Sequence, residues 1–285
     1  MNPVAKVIED SISEDGIRAT TILVRYPRMI HAEVMTHKFF ARNGRSSRAV
    51  PVMTLLKEDI VEPLYYGANQ PGMSAGGTLK GWRLALARGT WLGLAHLTKL
   101  AVRTLHFAGL HKQWANRPLE WFGCIDLLIT STQWKNFFTL RIHDAAQPEV
   151  RELAIAIRYA MIFSKPRQLK AGDWHLPFVS EGERSTLPIE DQKKISTARN
   201  ARLTFAPPEE AAGLKQETQY MAEYARYQKL VGYQPVHASP AEHVLTPDTK
   251  VGRGGSRKWS RAHMHGCTPG YIQHRHEIPY HFIPG

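Results

Sequence analysis

Two runs of β-branched residues, 3–12 and 18–26, flank the tetrapeptide Ser-Glu-Asp-Gly, and this arrangement constrains the chain more than any other feature. Val, Ile and Thr in partial alternation suit half-buried strands, and the tetrapeptide is a turn signal, so the opening reads as strand, turn, strand. Pro27 then suits a helix start, and the run RMIHAEVMTHKFF puts Met29, Ile30, Val34 and Phe40 near one face. His37 and Lys38 fall close to the end of that helix. Further along, 65–81 is rich in Gly and turn residues and reads as an ordered loop, while 82–110 suits one long helix despite Gly89 and Gly93. Residues 124–132 read as a buried strand, and 136–163 as two helical pieces with Pro148 in the first turn of the second. The stretch 165–188 reads as a subdomain boundary, followed by a polar helical run from 189 and a longer helix over 208–231. The last forty residues read as irregular. The chain contains no internal repeat and no long low-complexity tract.

Within this scaffold, residues 36–51 gather Lys38, Arg42, Arg45, Arg48 and His37 with three hydroxyls and an amide. Guanidinium, ammonium and hydroxyl donors at this density suit phosphates rather than a nucleophile with its base. A solvated basic turn is the plainer alternative. The 285 residues carry a net charge of +12, which favours an anionic partner such as a nucleotide, a phosphorylated cofactor or nucleic acid. Cys124 and Cys267 are the only cysteines, so a reducing, cytoplasmic setting without a disulfide framework is expected. The acidic opening does not read as a signal peptide, and no uninterrupted apolar run reaches membrane-spanning length.

Three separated blocks resemble the flavin-dependent thymidylate synthases. Against that family's RHRxxSxNExSxR signature, Thr36, His37, Lys38, Ala41, Asn43, Gly44, Ser46 and Arg48 fall in register; His37, Asn43, Ser46 and Arg48 match outright, and Lys38 keeps a cation. The second block, NFFTLRIHDAAQPEVRELA, is similar to NxxxLRxxxxAQxEIRxLA at Asn136, Leu140, Arg141, Gln147, Glu149 and Arg151. The third lies in an unusual place. NARLT at 200–204 and HASPAEH at 237–243 resemble segments that usually precede the signature, and about thirty residues between them suit an intervening helix. The order implies a circular permutation, which close termini in a compact domain tolerate.

The resemblance implies an α+β fold, a mostly antiparallel sheet flanked by helices, in one domain spanning 1–285. Its parts would be a motif and helical core at 1–165, a permuted segment at 189–248 and a basic tail at 249–285. It implies reductive methylation of deoxyuridylate (dUMP) at C5, with methylenetetrahydrofolate giving the carbon, NADPH reducing FAD, and no cysteine attacking the ring. Arg141 and Ser46 would be catalytic, and Glu33, Ser46, Arg48, Arg117 and Arg141 would hold the nucleotide. His37, Lys38, Asn43, Asn136, Leu140 and His243 would hold the cofactor, with no metal. A homotetramer with active sites shared between subunits is expected.

Departures from the family pattern at Glu33, Thr36, Ala41, Gly44 and Ala145 leave a related reaction open, such as hydroxymethylation of dUMP or deoxycytidylate, or methylation of UMP. A carboxylate at Glu33 only accepts where an amide also donates. A nucleic-acid-binding protein is the alternative from another class, on the basic balance and on Trp259 and Tyr271 among basic residues of the tail. Within the tail, His263, His265, Cys267, His274 and His276 form a weak zinc pattern that fits no standard finger.

Overall fold

The computed structural model describes residues 2–204, 216–252 and 257–280. Strands β1 (Val4–Ser13) and β2 (Arg18–Pro27) pair antiparallel across the Ser-Glu-Asp-Gly turn, within a residue of the sequence reading at each boundary. Strand β4 (Cys124–Ser131) pairs antiparallel with β2, and the short β3 (Ala41–Gly44) pairs antiparallel with β4. Strand β5 (Arg167–Leu169) joins the far side of β1 in parallel, giving the order β3-β4-β2-β1-β5. The fold is therefore α+β, with a mostly antiparallel sheet flanked by helices.

Alternation along the strands gives the sheet two different faces. One face carries Ile22, Val24, Tyr26, Ile125, Leu127 and Ile129, packed against Val150, Leu153 and Ile157 of helix α6 (Pro148–Ile162) and Phe137 of α5 (Lys135–Arg141). Pro148 occupies the first turn of α6, where its missing N–H costs nothing. The other face carries a polar stripe of Ser11, Thr21 and Thr130, all buried. Two imidazoles bridge that stripe: His175 bonds Ser11 at 2.8 Å and Thr21 at 2.7 Å, and His243 bonds Thr130 at 2.8 Å. Each hydroxyl buried there thus has a partner, which removes the cost of burying it.

Two readings change. The helix expected from Pro27 is shorter than its apolar pattern suggested. Pro27 ends β2, a 3-10 turn covers Arg28–Ile30, and helix α1 is only His31–Met35. Ile30, Val34 and Phe40 are still buried in one cluster, so the apolar face was real although the helix was not continuous. The C-terminal segment is also more ordered than its composition suggested. Strand β6 (Leu245–Pro247) pairs with β9 (Tyr271–Gln273), and β7 (Lys250–Val251) with β8 (Lys258–Trp259).

Helix α2 (Val52–Lys57), the long α3 (Gly81–Phe107) and the short α4 (Lys112–Ala115) contribute to a second small core of Val52, Leu56, Val102, Ala115 and Leu119. The opposite face of α3 leaves Trp82, Leu86, Leu94, Leu97 and Leu100 exposed. Helix α7 (Glu181–Thr186) starts with a reciprocal cap between Ser180 and Glu183, and α8 (Ile189–Asn200) packs on α9 (Gln216–Val231). The first part of the helix expected over 208–231, up to residue 215, lies outside the described residues. Among those described, no helix is long and apolar enough to cross a membrane.

Candidate active site

The basic stretch 36–51 does not form one loop. Its middle is β3, the edge strand against β4, so its two halves leave opposite ends of that strand. Four residues at about 3.3 Å each put on the order of 13 Å between the halves. His37 and Lys38 lie at one end, and Ser46 and Arg48 at the other.

At the first end, Arg141 reaches back from the last turn of α5. Its Nε donates to His37 Nε2 at 3.1 Å, and an Nη donates to Thr36 Oγ1 at 3.3 Å. The ring of His37 stands edge-on to Phe137, with centroids 4.9 Å apart. Burial, with Arg141 and Arg42 beside it, pushes the His37 pKa down to about 4. His37 is therefore neutral at physiological pH and free to accept from Arg141. The alternative of a surface ion pair for Arg141 is not what forms. Asp144 pairs with Arg151 at 2.8 Å, and Glu149 turns inward to accept from the Leu64 N–H at 2.9 Å. Asn136 and Leu140 are exposed on the same short helix. Glu33 is half-buried on α1, with Oε2 buried and without a hydrogen-bond partner among the described residues.

At the second end, Ser46 and Arg48 are exposed, and Ser46 Oγ accepts from the Arg48 N–H at 3.3 Å. Neighbouring Ser47 is buried and donates to Glu120, which also accepts from Arg117 at 2.9 Å and pairs with Arg28 at 3.1 Å. Arg117 thus joins the Ser46–Arg48 turn through a shared carboxylate. Arg45 is neutralised by Glu58 at 2.8 Å and Asp126 at 3.3 Å, which takes it out of the set of phosphate donors. Sequence reasoning missed Asn116, wholly buried, whose amide donates to the carbonyls of Ser47 and Val50 at 2.8 and 2.9 Å and pins the turn. An amide just ahead of Arg117 was its only trace in the sequence.

Between the two ends, Asn43 ties the third block to the first. Its side chain donates to the Asn200 carbonyl at 3.4 Å and accepts from Ser239 at 3.2 Å, while Asn200 donates to the Pro240 carbonyl at 3.1 Å. The segments at 200–204 and 237–243 therefore pack on β3 and on each other. His243 is wholly buried, with Nδ1 bonded to Thr130 and Nε2 without a hydrogen-bond partner among the described residues, and burial holds its pKa down to about 3, so the imidazole is neutral. Asn43 thus meets the third block with both its amide N–H and its carbonyl.

Lys38, Phe40 and Arg42 also line an open cavity of about 640 Å³ completed by Glu242, His263, Cys267 and Arg275. Of the two tail aromatics singled out in the sequence, Tyr271 is wholly buried and its hydroxyl donates to the Ile17 carbonyl at 3.0 Å, while Trp259 is half-buried with Lys250 over its ring. His265 bonds Asp248 at 2.8 Å and the Gly270 N–H at 3.1 Å, and His274 bonds Glu277 at 2.8 Å, so both imidazoles serve the fold. Among the described residues no His, Cys, Asp and Glu group is arranged to hold a metal.

No family model and no curated protein sequence matches the chain. Among solved structures, the chain is similar to a UMP/dUMP methylase, PolB from Streptomyces cacaoi bound with 5-Br UMP, with a TM-score of 0.44 and 15% identity over 56% of this chain and 88% of that one. The same methylase bound with 5-Br dUMP gives a TM-score of 0.40 and 15% identity over 55% and 88%. Both superpositions are loose, and what the site can do follows from its own residues.

Proposed function

We propose that this chain modifies a pyrimidine nucleotide at C5, and that methylation of dUMP with FAD, methylenetetrahydrofolate and NADPH is the reaction its residues fit best. The observation that supports this is the contact between Arg141 and His37. It joins the two sequence blocks most like those of the flavin-dependent thymidylate synthases, across more than a hundred residues. A neutral imidazole orients the guanidinium by accepting at Nε. The remaining donors of the planar fork are then available for a pyrimidine carbonyl and for negative charge developing on the ring.

FAD, when bound, would supply hydride, and the folate the carbon. The surrounding residues fit such a cofactor: Lys38 and Arg42 offer cations for phosphates, and Phe40 offers an apolar wall. The thiols support the same reading. Burial raises the pKa of Cys124 and pushes that of Cys267 up to about 11, so neither is a ready thiolate at neutral pH. Chemistry without a cysteine nucleophile suits this chain. At the far end of β3, Ser46, Arg48 and Arg117 would hold the 5′-phosphate.

The separation of these two ends suits a site completed by another subunit, as in the expected homotetramer, and the exposed apolar face of α3 offers a surface for assembly. A flavin absorption spectrum of the purified chain, with dUMP titrated by calorimetry, tests the reading. Bound flavin and saturable dUMP binding support it, and a chain that does not bind dUMP removes it.

Glu33 favours a second reading of the product. Its unpartnered, buried carboxylate oxygen would accept from a donor-bearing substrate, such as the amino group of deoxycytidylate or the ribose 2′-hydroxyl of UMP. Parallel titrations with dUMP, UMP and deoxycytidylate separate these substrates.

A further inference from the structure

The C-terminal segment turns back onto the basic stretch near the start of the chain. Strand β9 pairs with β6 in the register Leu245↔Gln273, and the His274 N–H donates to the Val244 carbonyl at 2.9 Å. This ribbon follows directly on the segment 237–243, and Arg275 is fixed to Glu242 of that segment by an ion pair. Gln273 adds hydrogen bonds to the Glu242 carbonyl at 3.4 Å and to Cys267 Sγ at 3.3 Å. Arg275 thereby lines the same cavity as Lys38 and Arg42.

The lining has a definite chemistry. Three cations, Lys38, Arg42 and Arg275, face one carboxylate, Glu242, with His263 beside them. Arg42 is aimed by donating to the Met35 carbonyl at 2.6 Å, and Lys38 is exposed. The excess positive charge suits an anion with more than one negative charge, because each cation added to a half-enclosed site raises the cost of leaving it uncompensated. At about 640 Å³ the cavity is far larger than an inorganic anion and matches a nucleotide-sized ligand. Phe40 and Met264 supply apolar wall next to the charged rim.

We infer that the C-terminal segment completes a diphosphate-binding pocket, in which Arg275 joins Lys38 and Arg42 around the pyrophosphate of a dinucleotide cofactor. This deepens the cofactor side of the proposed function, and it assigns the tail to ligand binding. The pairing of Arg275 with Glu242 is its resting partner, which an incoming diphosphate would share or displace.

The test is calorimetric titration of the full-length chain with inorganic pyrophosphate, followed by displacement of FAD by pyrophosphate read from flavin fluorescence. Arg275→Ala and Lys38→Ala should each weaken pyrophosphate binding at least tenfold. Arg103→Ala, an equal loss of charge on exposed α3, should leave it within about twofold, since distant exposed charges are screened. Should Arg275→Ala fail to fold, as thermal melts would reveal, the exposed Lys38→Ala decides alone. Pyrophosphate that does not bind, binds the Lys38 and Arg275 variants like the native chain, or does not displace FAD overturns the inference. Titration with dUMP keeps the two proposals apart: pyrophosphate binding without dUMP binding sinks the pyrimidine reading and leaves the pocket, and the converse sinks the pocket alone.

Discussion

Replacing Asn116 by Ala should both destabilise the protein and loosen its nucleotide turn. The side chain is wholly buried and donates to two carbonyls, Ser47 at 2.8 Å and Val50 at 2.9 Å. Two hydrogen bonds at about 0.5–1.5 kcal/mol each, and two carbonyls left short of a donor at about 1–3 kcal/mol each, bracket the effect; with local relaxation we expect about 2–4 kcal/mol. That is a large part of the roughly 5–15 kcal/mol that holds a domain together. Urea unfolding followed by tryptophan fluorescence measures it, with the slope checked for a constant transition. Affinity for dUMP should fall as well, because Ser46 and Arg48 flank the carbonyl that Asn116 holds. Asn116→Asp should be no milder, since a carboxylate would face two carbonyls without a donor. A loss below about 0.5 kcal/mol, with dUMP affinity intact, would refute the idea that Asn116 pins this turn.

Further outcomes follow from the same geometry. Arg48→Ala should weaken dUMP binding roughly tenfold to a hundredfold while flavin absorbance stays, as befits one charge-assisted contact; calorimetry reads it. Arg141→Lys should lower turnover more than it raises the Michaelis constant, because Lys lacks the planar fork that His37 orients, and unchanged steady-state kinetics would take Arg141 out of the chemistry. Stability should fall as pH drops from about 6.5 toward 3, for an unfolded His243 takes up its proton near the upper value and the folded one only near 3. Throughout that interval the unfolded state binds more protons, so His243→Gln should flatten the slope seen in urea melts at stepped pH.

Much of the sheet was legible because its strands announce themselves locally. The β1–β2 hairpin and β4 carry β-branched, alternating or wholly apolar runs bounded by turn residues, and Pro148 marks the start of α6. Strand β3 was not legible. Ala-Arg-Asn-Gly has no strand propensity, and it is a strand only because β4 offers an unpaired edge. That one element divides the basic stretch, so a phosphate cradle that looks continuous in sequence becomes two separate ends. Arg45 shows the same limit, since its neutralisers, Glu58 and Asp126, are adjacent only in space. The burial of His243 was hidden for the same reason, since exposure cannot be read from a motif: its segment packs against the sheet and Nδ1 bonds Thr130. His265 and His274 are partnered by Asp248 and Glu277, which composition alone could not indicate.

The most direct test of the central claim is product analysis. The full-length chain would be incubated with dUMP, FAD, methylenetetrahydrofolate and NADPH, and the nucleotide pool examined by mass spectrometry, with tritium at C5 as tracer. The account predicts release of tritium and a nucleotide carrying one added methyl group, both lost when any of the folate, the flavin or NADPH is omitted. Retained tritium and unchanged nucleotide, from a chain that binds both flavin and dUMP, would contradict it.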